Sequence, residues 1–446
     1  MRRIMIAGTK SDCGKTTVTC AVLAALKMRG IRISAFKCGP DYIDPMFHRR
    51  TAEIDTYNLD SFFCDNDTLN FLIEEYGGKS DISVIEGVMG FYDGKNGSTH
   101  EISEITGTPA VIVIGCRGMS DSLGAVMNGF LNYRKNNIAG FIFNELPEKL
   151  VPLAKKLCAE QNTEYLGHFP KQSFSLESRH LGLVTADEID DILDKITMLG
   201  QSAEKNILID RILELSESPV MPYDHPAIKS VTEKPVIAVS KDRAFCFIYN
   251  ENIDILERMG CVIKYFSPLN DKEIPECDGI ILCGGYPELY AKQLSENISM
   301  LDDLRSKIIS GVPYIAECGG FIYLHDILCG ADGNEYKAAG IINGKAFPAG
   351  GLKRFGYVTM TAAEDNILCE KGGIVKAHEF HHWESTVPGN GFTAEKTDGR
   401  TWECANIGNN FYAGFPHIYF YSDIRIAERF VKICSARREK KHEQDK

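Results

Sequence analysis

Gly8-Thr9-Lys10-Ser11-Asp12-Cys13-Gly14-Lys15-Thr16-Thr17 decides how the first half of the chain folds. A short apolar run, Arg3 to Ala7, leads into it, and a helical pattern follows it as far as Met28. Strand, glycine loop and a helix opening on Gly-Lys-Thr form the context in which backbone N–H groups cradle phosphates, a lysine reaches the β and γ oxygens and a hydroxyl serves Mg²⁺. The expected ATP-binding residues are Gly8, Thr9, Gly14, Lys15, Thr16 and Thr17, with ATP and Mg²⁺ as cofactors. The spacing departs from the commonest form, since five residues rather than four separate Gly8 from Gly14.

Working outward, Ile33 to Lys37, Ile82 to Glu86, Ala110 to Ile114 and Ile138 to Asn144 read as further strands. Thr16 to Met28, Thr68 to Tyr76, Ser120 to Tyr133 and Leu150 to Gln161 read as the helices between them. Continuous apolar strands alternating with helices predict a parallel sheet covered on both faces. Glu86 ends one such strand at the C-terminal edge, where open α/β sheets bind ligands, and is therefore a metal candidate. Lys37 to Pro45 and Gly90 to Gly94 follow strands and are rich in turn residues, so their carboxylates either face a nucleotide or make turns.

From Ser216 to Pro235 the pattern lapses into a stretch with serine and proline, which predicts a linker over 216–234 between domains at 1–215 and 235–446. A second α/β pattern then begins, with strands at Val236 to Ser240, Ile263 to Phe266, Gly279 to Leu282 and Tyr314 to Ala316, and helices near Asn252 to Met259 and Leu289 to Glu296. In Ala316-Glu317-Cys318-Gly319-Gly320, small residues flank Cys318 at a strand-to-helix junction. That is a nucleophile elbow with sulfur, expected to lift the thiol into the open at a helix N-terminus and to lower its pKa. Backbone N–H groups of Gly284-Gly285-Tyr286-Pro287-Glu288 suit an oxyanion hole, for which Gly285 and Gly319 are the candidates. A base is needed, and residue types leave His378, His381, His382 and His417 all open.

The 446 residues suit two or three domains, and 49 Lys+Arg against 61 Asp+Glu leave a net charge of −12. That balance argues against a broad nucleic-acid surface while leaving room for a local phosphate pocket. The 15 cysteines are odd in number, scattered and without a C-x-x-C pair, so reduced and mostly buried thiols are expected. Ile4-Met5-Ile6-Ala7 is too short for a signal peptide's apolar region, and no run reaches the ~18 apolar residues of a membrane span. The reading is cytoplasmic, without a membrane partner, and with Arg437 to Lys446 as a frayed tail.

Taken in order, these segments resemble the cobyrinate a,c-diamide synthase family over nearly the whole chain. The resemblance rests on the five-spaced phosphate loop, Gly39-Pro40-Asp41-Tyr42-Ile43-Asp44-Pro45, Glu86-Gly87-Val88-Met89-Gly90-Phe91-Tyr92-Asp93-Gly94 and Arg179-His180-Leu181-Gly182-Leu183. In the second half it rests on Phe266-Ser267-Pro268, the Gly284 turn, Glu317-Cys318-Gly319-Gly320 and His378-Glu379-Phe380-His381. It implies an N-terminal P-loop domain of the dethiobiotin-synthetase type and a C-terminal class I glutamine amidotransferase domain, both α/β. It implies L-glutamine, ATP and a tetrapyrrole as partners, amidated on its a and c acetates through an acyl phosphate; a homodimer is compatible with it. Cys318 and His417 become the catalytic pair and Asp93 a catalytic helper of the intermediate. Thr16, Asp41 and Glu86 fall to the metal, and Lys37, Tyr42, Ile43 and Asp44 to substrate or ATP hydrolysis.

Three departures stand out. Asp12 occupies a position where the family usually has glycine, Tyr419 replaces the glutamate expected two residues after the histidine, and Lys10 lies where partition-type ATPases carry a signature lysine. Competing expectations are the same amidation of Ni-sirohydrochlorin or hydrogenobyrinic acid and, in a different class, a nucleotide-switched partition ATPase.

Overall fold

The computed structural model describes residues 1–94, 96–172, 178–179, 182–183 and 191–444, with side chains left aside at 178–179, 182–183, 442 and 444. The chain separates into two compact units, Met1–Pro226 and Ala227–Lys446.

In the first unit seven strands form one sheet: β1 Arg3–Gly8, β2 Ile33–Cys38, β3 Thr56–Leu59, β4 Ile82–Glu86, β5 Ala110–Gly115, β6 Ile138–Asn144 and β7 Glu164–Phe169. Their order is β3-β2-β4-β1-β5-β6-β7, and every pair is parallel. β1, β4 and most of β5 are buried on both faces, as expected for a sheet with helices on either side. The helices are α1 Lys15–Met28, α2 Ile43–Ala52, α3 Asn66–Gly77, α4 Thr99–Thr106, α5 Ser122–Asn132, α6 Val151–Glu160, α7 Ile192–Asn206 and α8 Ile209–Leu215. The strands β3 and β7 and the helices α2, α4, α7 and α8 are additions to the pattern read from sequence. α2 begins inside the turn-rich Gly39 to Pro45 segment, and Pro45 is tolerated because it stands in the first turn, where its missing N–H is not used. The short strands β8 Ser178–Arg179 and β9 Gly182–Leu183 pair with each other; His180 and Leu181 of the motif read there lie outside the described residues. Glu217 bridges to Arg2, and Arg3 N–H donates to Ser216, so the start of the expected linker is attached to the edge of this unit.

The second unit holds two sheets. The first contains β10 Val236–Ser240, β11 Val262–Phe266, β12 Gly279–Leu282, β13 Tyr314–Glu317, β20 Asn406–Gly408 and β21 Phe411–Gly414, in the order β11-β10-β12-β13-β21-β20, with only β20 antiparallel. The second contains β14 His325–Cys329, β15 Glu335–Lys337, β16 Ile342–Ala362, β17 Ile374–Ser385, β18 Phe392–Glu395, β19 Thr401–Cys404 and β22 His417–Ile418, and is mainly antiparallel. The helices are α9 Asn250–Arg258, α10 Ala291–Glu296, α11 Ile298–Ile309, α12 Gly319–Tyr323 and α13 Ile424–Gln444. α13 runs to Gln444, into the segment expected to fray: Arg437 donates to Ser310, and Arg438 and Lys441 pair with Asp278 and Glu276. All 15 cysteines are free thiols, and all but Cys246 and Cys369 are buried. Among the described residues no helix is long and apolar enough to cross a membrane.

Candidate functional sites

The parallel register of the first sheet gathers one site at its C-terminal edge. Lys37 of β2 and Ile6 of β1 stand beside Glu86 of β4 on neighbouring strands, so the end of β1, with its phosphate loop, lies next to a buried carboxylate. The loop is held from inside. Lys15 Nζ donates to the Lys10 carbonyl at 3.1 Å, and Asn144 Nδ2, from the end of β6, donates to the Cys13 carbonyl at 3.0 Å. Gly14 has φ 94°, and a Cβ there would lie 2.1 Å from Asn144 Nδ2, so glycine is required both for conformation and for space. Asp12 has φ 57°, the left-handed region that glycine fills without strain and aspartate tolerates better than most residues. The departure at this position is therefore accommodated by the backbone. Lys10 has an exposed side chain, and Thr9, Thr16 and Thr17 are partly exposed along the loop and first turn.

Glu86 is wholly buried and triply engaged. Thr16 Oγ1 donates to its Oε1 at 2.7 Å, Lys37 Nζ lies 3.3 Å from the same oxygen, and His48 Nε2 of α2 lies 2.5 Å from Oε2. Burial disfavours the charge on Glu86, but Lys37 and His48 outweigh it and hold the carboxyl well below the usual carboxylate range. Lys37 also pairs with Asp44 at 2.7 Å and donates to the Gly87 carbonyl at 2.9 Å. Burial works against its ammonium, yet Asp44, Glu86 and Asp41 raise its pKa. Asp44 is the group that is left over: burial and the neighbouring carboxylates Asp41 and Glu86 push it well up.

Asp44 Oδ1 accepts from Thr16 at 3.3 Å, whereas Asp41 Oδ1 accepts from the N–H groups of Ile43 and Asp44 and so caps α2. The carboxylate that meets Thr16 alongside Glu86 is thus Asp44. Tyr42 precedes α2 and is partly exposed; Ile43 turns into the core. Asp93 is exposed, with Oδ2 accepting from the Gly90 N–H at 2.9 Å, while Phe91 N–H donates to the Gly8 carbonyl and ties this segment to the phosphate loop. His48 and Asn144 are additions to the residues read from sequence. Neither lies in a motif, and only their places at a helix face and a strand end bring them in.

The second site centres on Cys318, between β13 and α12. Its φ of 45° and ψ of −100° are strained for any side chain, the conformation of an elbow. The expected open, acidified thiol is not what forms. Cys318 is 7% exposed and α12 is five residues long. Burial first, and then Glu288, Glu379 and Glu317, push the thiol up, against a lowering contribution from the Gly319 N–H. The Sγ donates to the Phe380 carbonyl at 3.8 Å. A Cβ on Gly319 would lie 2.8 Å from the Gly285 nitrogen, so the two candidate oxyanion glycines abut. A Cβ on Gly284 would lie 2.4 Å from His417 Cε1, which brings the same turn against the histidine.

The histidines separate by geometry. His381 stacks on Phe415 at 3.9 Å and shares a 2.6 Å hydrogen bond between Nδ1 and the Trp383 carbonyl. His382 packs edge-on to Phe380, and desolvation lowers its pKa. His378 faces His417 in register across β17 and β22, and burial, with His417 and Lys396 nearby, lowers its pKa to about 3, so it stays neutral near pH 7. His417 is buried, with Nδ1 3.5 Å from Glu317 Oε2. Glu317 was not singled out from sequence, although the strand-end rule applied to Glu86 points to it too.

Residues 4–183 match the family model described as the CobQ/CobB/MinD/ParA nucleotide binding domain, and residues 236–424 that of the CobB/CobQ-like glutamine amidotransferase domain. A cobyrinate a,c-diamide synthase of Listeria monocytogenes serotype 4b (strain F2365) is 36% identical over 96% of this chain and 98% of its own. That of Thermoplasma volcanium is 38% identical over 97% of each chain, and that of Priestia megaterium 34% over 99% of each. A P-loop sheet and a thiol elbow in this order, with such likeness along the full length, place the chain in the cobyrinate a,c-diamide synthase family.

Proposed function

We propose that the chain is an ATP- and glutamine-dependent ligase that amidates the a and c acetate carboxylates of cobyrinic acid in corrinoid synthesis. The observation that carries this reading is the pairing, in one chain, of a phosphate loop backed by Thr16, Glu86 and Lys37 with a buried cysteine elbow beside His417. A carboxylate is a poor electrophile. Transfer of the γ-phosphoryl to it gives an acyl phosphate, and ammonia then displaces phosphate to leave the amide. Lys15 and the loop N–H groups bind the phosphates, and Asp93, at the mouth of the same loop, assists the intermediate.

The donor set fits a hard cation. Thr16 Oγ1 lies 2.7 Å from Glu86 Oε1 and 3.3 Å from Asp44 Oδ1, so two carboxyl groups and a hydroxyl meet beside the phosphate loop. Among the described residues no group of three or more His, Cys, Asp or Glu is placed to hold a metal ion by itself. Mg²⁺ commonly takes most of its ligands from phosphates and water, with one or two from protein, so Thr16 with Glu86 or Asp44 would suffice. When bound, Mg²⁺ supplies neutralising charge to the phosphate oxygens.

At the second site Cys318 Sγ attacks the glutamine amide carbon as His417 takes the thiol proton. The proton passes to the leaving nitrogen, ammonia departs, and water hydrolyses the thioester to glutamate. Gly285 and Gly319 N–H groups stabilise the oxyanion.

The test is product analysis by mass spectrometry with cobyrinic acid, counting amides added with glutamine or ammonium as donor. Cys318→Ala is expected to abolish the glutamine-driven reaction and keep the ammonium-driven one; Lys15→Ala is expected to abolish both. Amidation of Ni-sirohydrochlorin or hydrogenobyrinic acid in place of cobyrinic acid reassigns the substrate. Failure of all three to gain amides overturns the reading.

A further inference from the structure

We propose that Glu317 is the positioning carboxylate of the thiol site, supplying from the residue before the nucleophile what Tyr419 does not supply from the position two after the histidine. The inference rests on the amidotransferase reading of Cys318 and His417. Tyr419 carries a phenol in place of a carboxylate, is 1% exposed, and its ring meets Tyr249 edge-on at 5.0 Å. Glu317 ends β13, paired with Gly414 of β21, and so lies next to the strand that leads into His417.

Its two oxygens have separate tasks. Oε1 accepts from the Ile418 N–H at 3.0 Å, which fixes the carboxylate to the strand carrying the histidine. Oε2 then lies 3.5 Å from His417 Nδ1. A carboxylate there holds the ring proton on Nδ1 and leaves Nε2 as the nitrogen that receives the thiol proton. It also favours the positive ring formed in that step. Glu379 is an alternative partner in principle, but its oxygens face Trp402 and His381 instead.

The role is separable from a structural one by chemistry. Glutamine at 317 keeps an acceptor for the Ile418 N–H, yet offers an amide N–H to Nδ1 and so promotes the opposite tautomer. Aspartate keeps the charge and shortens the reach. Full-length wild type, Glu317→Gln and Glu317→Asp are assayed for glutamate release from glutamine, with thermal unfolding recorded for each. Glu317→Gln is expected to lower kcat by roughly 100-fold with KM little changed, less than the ~10⁴-fold of a tightly bonded triad carboxylate, because 3.5 Å is a loose contact. Glu317→Asp is expected to retain more activity than Glu317→Gln. Equal rates for wild type and Glu317→Gln, or greater activity in Glu317→Gln than in Glu317→Asp, overturn the inference. An inactive wild type instead overturns the amidotransferase reading beneath it.

Discussion

Thr16 at the first turn of α1 and Glu86 at the end of β4 share a 2.7 Å hydrogen bond, so the hydroxyl of the phosphate loop is oriented by a carboxylate from the next strand. That bond, with Lys37 and His48 on the same carboxylate, makes Glu86 the centre of a buried charge network.

Glu86→Gln is expected to cost about 3–5 kcal/mol at pH 7, the usual loss when one partner of a buried pair is removed. The folded-state pKa of Glu86 is depressed, so its contribution is present above the ordinary value of 4.5 and is lost as pH falls below it. Chemical denaturation as a function of pH is therefore expected to show wild type and variant converging in acid.

Asp12 at φ 57° predicts a difference between two small substitutions. Alanine cannot use a local hydrogen bond to offset the left-handed conformation, and glycine meets no penalty there, so Asp12→Ala is expected to be less stable than Asp12→Gly by about 1 kcal/mol. Paired urea melts measure this. Nucleotide affinity is expected to be retained in the glycine variant.

Gly284→Ala introduces a methyl 2.4 Å from His417 Cε1. Glutamate release is expected to fall by at least roughly tenfold, because a displacement of about 1 Å suffices for losses of that order or more. Amidation driven by ammonium, which bypasses the thiol site, is expected to persist at the wild-type rate.

Glu288 lies within electrostatic reach of Cys318, and burial pushes its carboxyl up to about 8. A raised acid contributes most to stability below its ordinary pKa of 4.5, and that contribution is lost as pH climbs toward 8. Thermal melts of Glu288→Gln and wild type are therefore expected to diverge over this window, with the variant gaining relative stability as pH rises. Alkylation of Cys318 by iodoacetamide above pH 8 is also expected to be faster in the variant, which lacks the extra negative charge.

The parallel sheets were legible because β1, β4, β5 and β10 are nearly continuous apolar runs and Gly-Lys-Thr marks the strand-to-helix turn. The antiparallel sheet was not. Over its first half β16 is mostly half-buried or exposed and broken by glycines, and apolar residues alternate with threonine only from Val358 to Ala362, too short a stretch to announce a strand of this length. The small residues around Cys318 announce the turn but not its burial, which depends on β17 and the carbonyl of Phe380. His48 on α2 carries no local signal; it matters only because the helix packs its ring against a strand 38 residues away.

The neighbouring positions of Lys37 and Glu86 on adjacent strands have a further consequence for assembly. In a strand, moving the pairing by one residue turns every side chain to the opposite face. A misaligned β2 would carry Lys37 away from Glu86, the anion that β4 supplies, while it remained inside the sheet. Apolar neighbours such as Ala35 and Phe36 tolerate such a slip far better than an ammonium does. The charge pair thus serves as an alignment mark, rejecting wrong registers among strands whose hydrophobic sequences are too alike to reject them.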